Sequence, residues 1–153
     1  MDLPHGLDDR DGERKALERL SQIGDPLERI GRLQWYRFSP FLAKAFEGGQ
    51  RPAGAAAYSD LMLLKILILQ RIYEMSDEGI AGEVRDRLSF MRFLHLSVHD
   101  EKPSGAVIRQ FREALEGAHV LEDVYRLFHE QLREEGLAIC KTRREAAFLS
   151  PKA

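Results

Sequence analysis

Between Asp60 and Glu74 the chain is apolar on nearly every side of a helix, through Leu61, Met62, Leu63, Leu64, Ile66, Leu67, Ile68, Leu69 and Ile72. A helix without a polar face cannot rest on a surface, because its whole circumference needs cover. That requirement predicts a central core helix rather than a dimer helix. Lys65, Gln70 and Arg71 are its few expected wet positions. The apolar run is also far shorter than the roughly 20 residues that cross a bilayer. The start, MDLPHGLDDRDGER, is acidic and lacks the apolar stretch of a secretory signal. These readings predict a cytoplasmic chain with no membrane partner.

A length of 153 residues suits one domain. A chain of this size can bury roughly two-thirds of its unfolded surface. The net charge of -2 excludes a global polycation, so nucleic-acid binding would need a local basic face. The single cysteine, Cys140, excludes an intramolecular disulfide and any multi-cysteine metal site.

The remaining elements read as helices. Residues 1–12 are acidic and expected to fray. From Glu13 the spacing of Leu17, Leu20 and Ile23 is helical, with Gly24 as a stop. Asp25-Pro26 predicts a short helix with Leu27, Ile30 and Leu33 as its stripe, and Ser39-Pro40 predicts another. Glu47 to Ala57, with paired glycines and a proline, is a break. Ser59, Ser76 and Ser104 are expected caps for helices over 60–74, 76–88 and 104–116, the last ended by Gly117. A short turn or helix at Phe90 to Leu96 lies between the last two. A final amphipathic helix runs from Val120 to about Gly136. Leu137 to Cys140 has room for one short strand, without an evident partner. The expected fold is a compact all-α, multi-helix domain over 13–136 with a helix-turn-helix-like portion.

That portion carries the candidate site. The segment joining helices 76–88 and 104–116 is too long for a simple helix-turn-helix, and Phe90–Leu96 fills it as a third helix. On the second helix Arg109 and Arg112 are three apart and share a face, with Gln110 adjoining. Arginine binds phosphate and reads guanine edges, and glutamine reads adenine. Lys102 and Ser104 stand where the helix starts, where free backbone N–H groups can hold a phosphate. The bland alternative is a solvated face, with Arg112 paired to a neighbour such as Glu116.

Other constellations are weaker. His95 and His99 are four apart, but they fall in a connector with no further ligand nearby, so no metal or other cofactor is expected. Asp77-Glu78 and Asp100-Glu101 are better explained by helix-start and connector positions than by acid–base catalysis. No cysteine–histidine pair supports a nucleophile at Cys140.

Over 58–135 the sequence resembles the amino-terminal domain of bacterial insertion-sequence transposases, the InsH-like group. The residues that carry the resemblance are Leu69-Gln70-Arg71-Ile72-Tyr73, Ser76-Asp77-Glu78, Arg85 to Phe90, Arg92-Phe93-Leu94, and Pro103 followed by Phe111-Arg112 and Leu115. Ala106 stands where the family's signature has threonine, and Gly105 also departs from it. The resemblance implies transposition through binding of double-stranded DNA at the element's ends, ahead of a larger catalytic domain with three acidic metal ligands. In the corresponding place this chain reads Gly136-Leu-Ala-Ile-Cys140 and then a divergent tail, 137–153, with no aspartate after Asp123. The expectation is a truncated transposase, not itself an enzyme. Arg109, Gln110 and Arg112 would contact DNA, helped by Lys102 and Ser104, with Arg85 and Arg87 neutralising the backbone. The rival expectations are a module that assembles with itself or with intact transposase subunits, and a gene remnant without activity.

Overall fold

The computed structural model describes residues 9–49, 51–142 and 145–149. The first helix, α1, spans Asp9–Ile23, so it starts before Glu13. Most of the expected frayed segment lies outside the described residues. Gly24, at φ +112°, ends α1 in a conformation that a side chain would resist.

The segment that follows is not the expected helix. Asp25 Oδ1 accepts from Leu27 N at 2.9 Å, a local turn rather than a first helical turn. Short 3-10 turns cover Ile30–Arg32 and Trp35–Phe38, leading into α2 at Ser39–Ala45. The expected stripe is nevertheless inside, with Leu27, Ile30 and Leu33 all buried. Trp35 fixes the path of the chain by donating from its indole Nε1 to Ile30 O, 3.1 Å away. Among the described residues of 47–57 there are 3-10 turns at Glu47–Gly49 and Ala53–Ala57 and no α-helix.

Helix α3 spans Asp60–Tyr73, capped by Ser59 Oγ, which accepts from Met62 N. Leu64, Ile66, Leu67 and Leu69 are fully buried, as a helix apolar all round requires. Lys65 corrects the expectation of a wet position, since it is only 3% exposed. Its ammonium donates to Phe93 O at 3.3 Å and lies 4.9 Å from the Trp35 ring and 5.0 Å from that of Phe93. Two ring faces and one carbonyl replace part of its hydration.

Helices α4 (Asp77–Asp86), α5 (Leu88–Phe93), α6 (Gly105–Gly117) and α7 (Leu121–Glu134) complete the domain. Ser76 and Ser104 cap α4 and α6 as expected. α6 ends at Gly117 as expected, and the left-handed residue that follows is His119, at φ 59°. The predicted strand is real, spans Ala138–Thr142 as β1, and has a partner. It pairs antiparallel with β2, Glu145–Leu149, in the register Ile139↔Phe148. Both strands fall within the tail, 137–153, and append a hairpin to an all-α core.

The amino-terminal segment belongs to that core. Trp35 stacks on Phe38 at 5.2 Å, meets Phe93 edge-on at 5.5 Å and faces Phe128 at 6.4 Å. Gln131, itself buried, exchanges two hydrogen bonds with the backbone of Gln34, at 2.8 and 3.1 Å. Among the described residues no helix is long and apolar enough to cross a membrane.

Candidate nucleic-acid interface

The helix-turn-helix-like portion consists of α4, α5 and α6. Among the described helix pairs, α4 and α6 make the most extensive contact. Ile80, Ala81 and Val84 of α4 and Ile108, Phe111 and Leu115 of α6 are buried, which sends the remaining residues of each helix outward.

Arg112 joins the two helices. Its Nη1 and Nη2 donate to the two oxygens of Asp77, with Nη2–Oδ2 at 3.0 Å. Nη1 also reaches Gln70 Oε1 at 3.1 Å, and Gln70 Nε2 returns a bond to Asp77 Oδ1 at 2.7 Å. The bond from Arg112, reinforced by Gln70, holds the Asp77 carboxyl below its ordinary range despite partial burial. One closed network therefore ties α3, α4 and α6. Glu116 stands 3.8 Å from Arg112, the helical neighbour foreseen from the sequence.

The other expected site residues divide in two. Lys102 Nζ donates to the carbonyls of Ser97 and Val98 at 2.7 and 2.8 Å and closes the connector before α6. Ser104 Oγ caps Val107 N at 3.3 Å. Glu78 crowds the same helix start, since a Cβ on Gly105 would lie 2.7 Å from Glu78 Cδ. A carboxylate already stands where a phosphate would have been held. Arg87 pairs with Glu83, and its guanidinium covers the Phe90 ring at 5.1 Å and the Tyr73 ring at 5.8 Å. By contrast, Arg85, Arg109 and Gln110 are exposed. Gln110 stands beside the 53–57 turn: a Cβ on Gly54 would lie 3.8 Å from its Oε1.

The matched signature residues Gln70, Asp77 and Arg112 thus sit in one network rather than along a single helix. The family described as Transposase domain (DUF772) matches residues 14–114. The chain belongs to this family. The match supports a role in transposition and reaches well into the amino-terminal segment, where the sequence resemblance began only at residue 58. No curated protein and no solved structure matches the chain.

Two features of this transposase domain escaped sequence reasoning. Arg92 anchors the amino-terminal segment: it donates to Asp25 Oδ2 from Nε and Nη2 at 3.0 and 2.6 Å, and from Nη1 to Ser21 Oγ at 2.6 Å. Partners 67 and 71 residues away leave no local signal. Arg71 stacks on Tyr125 of α7, 4.2 Å from its ring centroid. Its position on an otherwise apolar helix was the only hint. The histidines of the connector do not gather ligands: among the described residues no group of three His, Cys, Asp or Glu is placed to hold a metal ion.

Proposed function

We propose that this transposase domain binds double-stranded DNA at the ends of its element, with α6 as the reading helix. Family membership across 14–114 carries the reading. The arrangement of α6 supports it. Arg109 and Gln110 are adjacent, exposed and on a helix tied to α3 and α4 through Arg112. Arginine and glutamine are the residue types that recognise guanine and adenine edges in two-point contacts. Arg85 is exposed on α4 and would neutralise backbone phosphate. Lys102, Ser104, Arg87 and Arg112 then act indirectly, by fixing the connector, the helix start and the α4–α6 angle. In this reading 13–136 is the working unit, and strand cutting belongs to a separate catalytic domain.

A second reading, assembly with a further copy or with intact transposase subunits, draws on one observation. Ile23 and Tyr36 are large apolar residues left 78% and 71% exposed.

Fluorescence anisotropy with a labelled element-end duplex and a scrambled duplex, at two salt concentrations, separates the two. Selective binding that weakens steeply with salt is the expected result. A folded chain that binds neither duplex but self-associates would replace the first reading by the second.

A further inference from the structure

Next to the α4–α6 unit, two open cavities flank the Arg71–Tyr125 stack. One, of about 440 Å³, is lined by Gln70, Arg71, Ser76, Asp77, Arg112 and Tyr125. The other, of about 420 Å³, adds His129, Glu74 and the apolar side chains of α3 and α7. Arg71 lies on the rim of both. Tyr125, His129 and Arg133 follow at intervals of four on α7, so they share one face of that helix. Arg71, His129 and Arg133 are all exposed.

Electrostatic neighbourhoods link these groups end to end. Asp77 feels both Arg112 and Arg109. Burial pushes the Tyr125 hydroxyl up, Arg71 and Arg112 oppose this, and Glu122 and Glu116 add to it more weakly. Partial burial of the ring, then Arg71 and Arg133, push the His129 imidazole below its ordinary value. The basic groups therefore form a sequence from Arg109 on α6, past the Arg112–Asp77 clamp, to Arg71 on α3 and on to Arg133 on α7. Asp77 largely neutralises Arg112, and Glu74 borders the second cavity. Arg71 and Arg133 are exposed cations beyond α6, while Arg126, also exposed on α7, is paired with Asp123. The Arg71 guanidinium is held over the Tyr125 ring, so less freedom is lost when it binds an anion.

We infer that the DNA backbone continues across the α3–α7 seam, with Arg71 and Arg133 contacting phosphates beyond the reading face of α6. The inference rests on the DNA-binding reading above and adds residues to it. An open, elongated track of separated cations suits a polyanion better than a single small anion, which would need convergent donors. Phosphate contacts position the duplex without reading sequence.

The test compares the wild-type chain, Arg71→Gln with Arg133→Gln, and Arg109→Ala on element-end and scrambled duplexes across a salt series. The expected result for the double variant is equal weakening on both duplexes. The slope of log affinity against log salt should become shallower by about two, near one per lost phosphate contact. Arg71→Lys, which keeps the charge, should retain the wild-type slope. If the double variant fails to fold, Arg133→Gln alone should make the slope shallower by about one. Wild-type affinity and slope in a folded double variant, with Arg109→Ala still impaired, would overturn this track and leave α6 as the interface. Failure of the folded wild-type chain to bind any duplex would overturn both.

Discussion

Arg112 grips both carboxylate oxygens of Asp77 from the next helix but one, and Gln70 of α3 bonds to both partners. The two charged side chains are 24% and 21% exposed, so the pair is shielded without being fully desolvated. A two-point guanidinium–carboxylate bond of this kind fixes orientation as well as distance. A glutamine, an aspartate and an arginine spread over 42 residues thus set together the angle at which α6 is presented.

Arg112→Ala should therefore destabilise the fold by about 1–2 kcal/mol, between the values for exposed and buried pairs. Urea denaturation measures this. DNA affinity should fall only as far as the fold loosens, and a large affinity loss in a fully stable variant would instead make Arg112 a direct contact.

The same pair predicts acid sensitivity. Asp77 titrates below its ordinary value of 3.8 in the folded chain. Its contribution to stability is thus complete above that value and is lost as pH falls through the lower folded one. Asp77→Asn should flatten the acid limb of the stability–pH profile, measured by thermal melts.

Lys65 has the opposite dependence. Burial lowers its ammonium below the ordinary 10.5, so the unfolded chain holds the proton more tightly. Wild-type stability should rise relative to Lys65→Met as pH climbs from the folded value toward 10.5. A constant difference between the two proteins across alkaline pH would show that the ammonium is adequately solvated where it sits.

Arg92→Ala leaves the Asp25 carboxylate, whose side chain is 2% exposed, without its cation. Loss of one partner from a buried pair costs about 3–5 kcal/mol, and the partial exposure of Arg92 places this case near the lower end. Limited proteolysis should then cut between α1 and α2 before it cuts elsewhere.

Gly54 has no room for a side chain. A Cβ there would lie 2.8 Å from Val107 Cγ2 on α6. Valine is stiff at χ1, so Gly54→Ala should cost about 1–3 kcal/mol, and Val107→Ala should relieve part of that cost in a double-mutant cycle. Simple additivity of the two changes would mean that the turn moves instead of the valine.

Much of the architecture was legible in the residues themselves. The apolar spine at 60–73, the serine caps of α3, α4 and α6 and the buried spacing of Ile108, Phe111 and Leu115 follow from helix periodicity and capping, which act within one or two turns. Local chemistry also placed Leu27, Ile30 and Leu33 inside, although it suggested an α-helix where the chain makes turns. Only the tertiary structure decided which cations remain outward. Arg112 resembles Arg109 in sequence, but its acceptor, Asp77, lies on another helix, 35 residues earlier; Arg87 and Lys102 differ from Arg85 in finding acceptors close by, Glu83 and the carbonyls of the connector. Lys65 looked wet for a similar reason: a lysine marks a helix face as polar until Trp35, 30 residues earlier, is known to cover it. Helical periodicity is a local property that a sequence carries openly. The partners of Arg112, Arg92 and Lys65 are set by the packing of distant segments, which no single helix records.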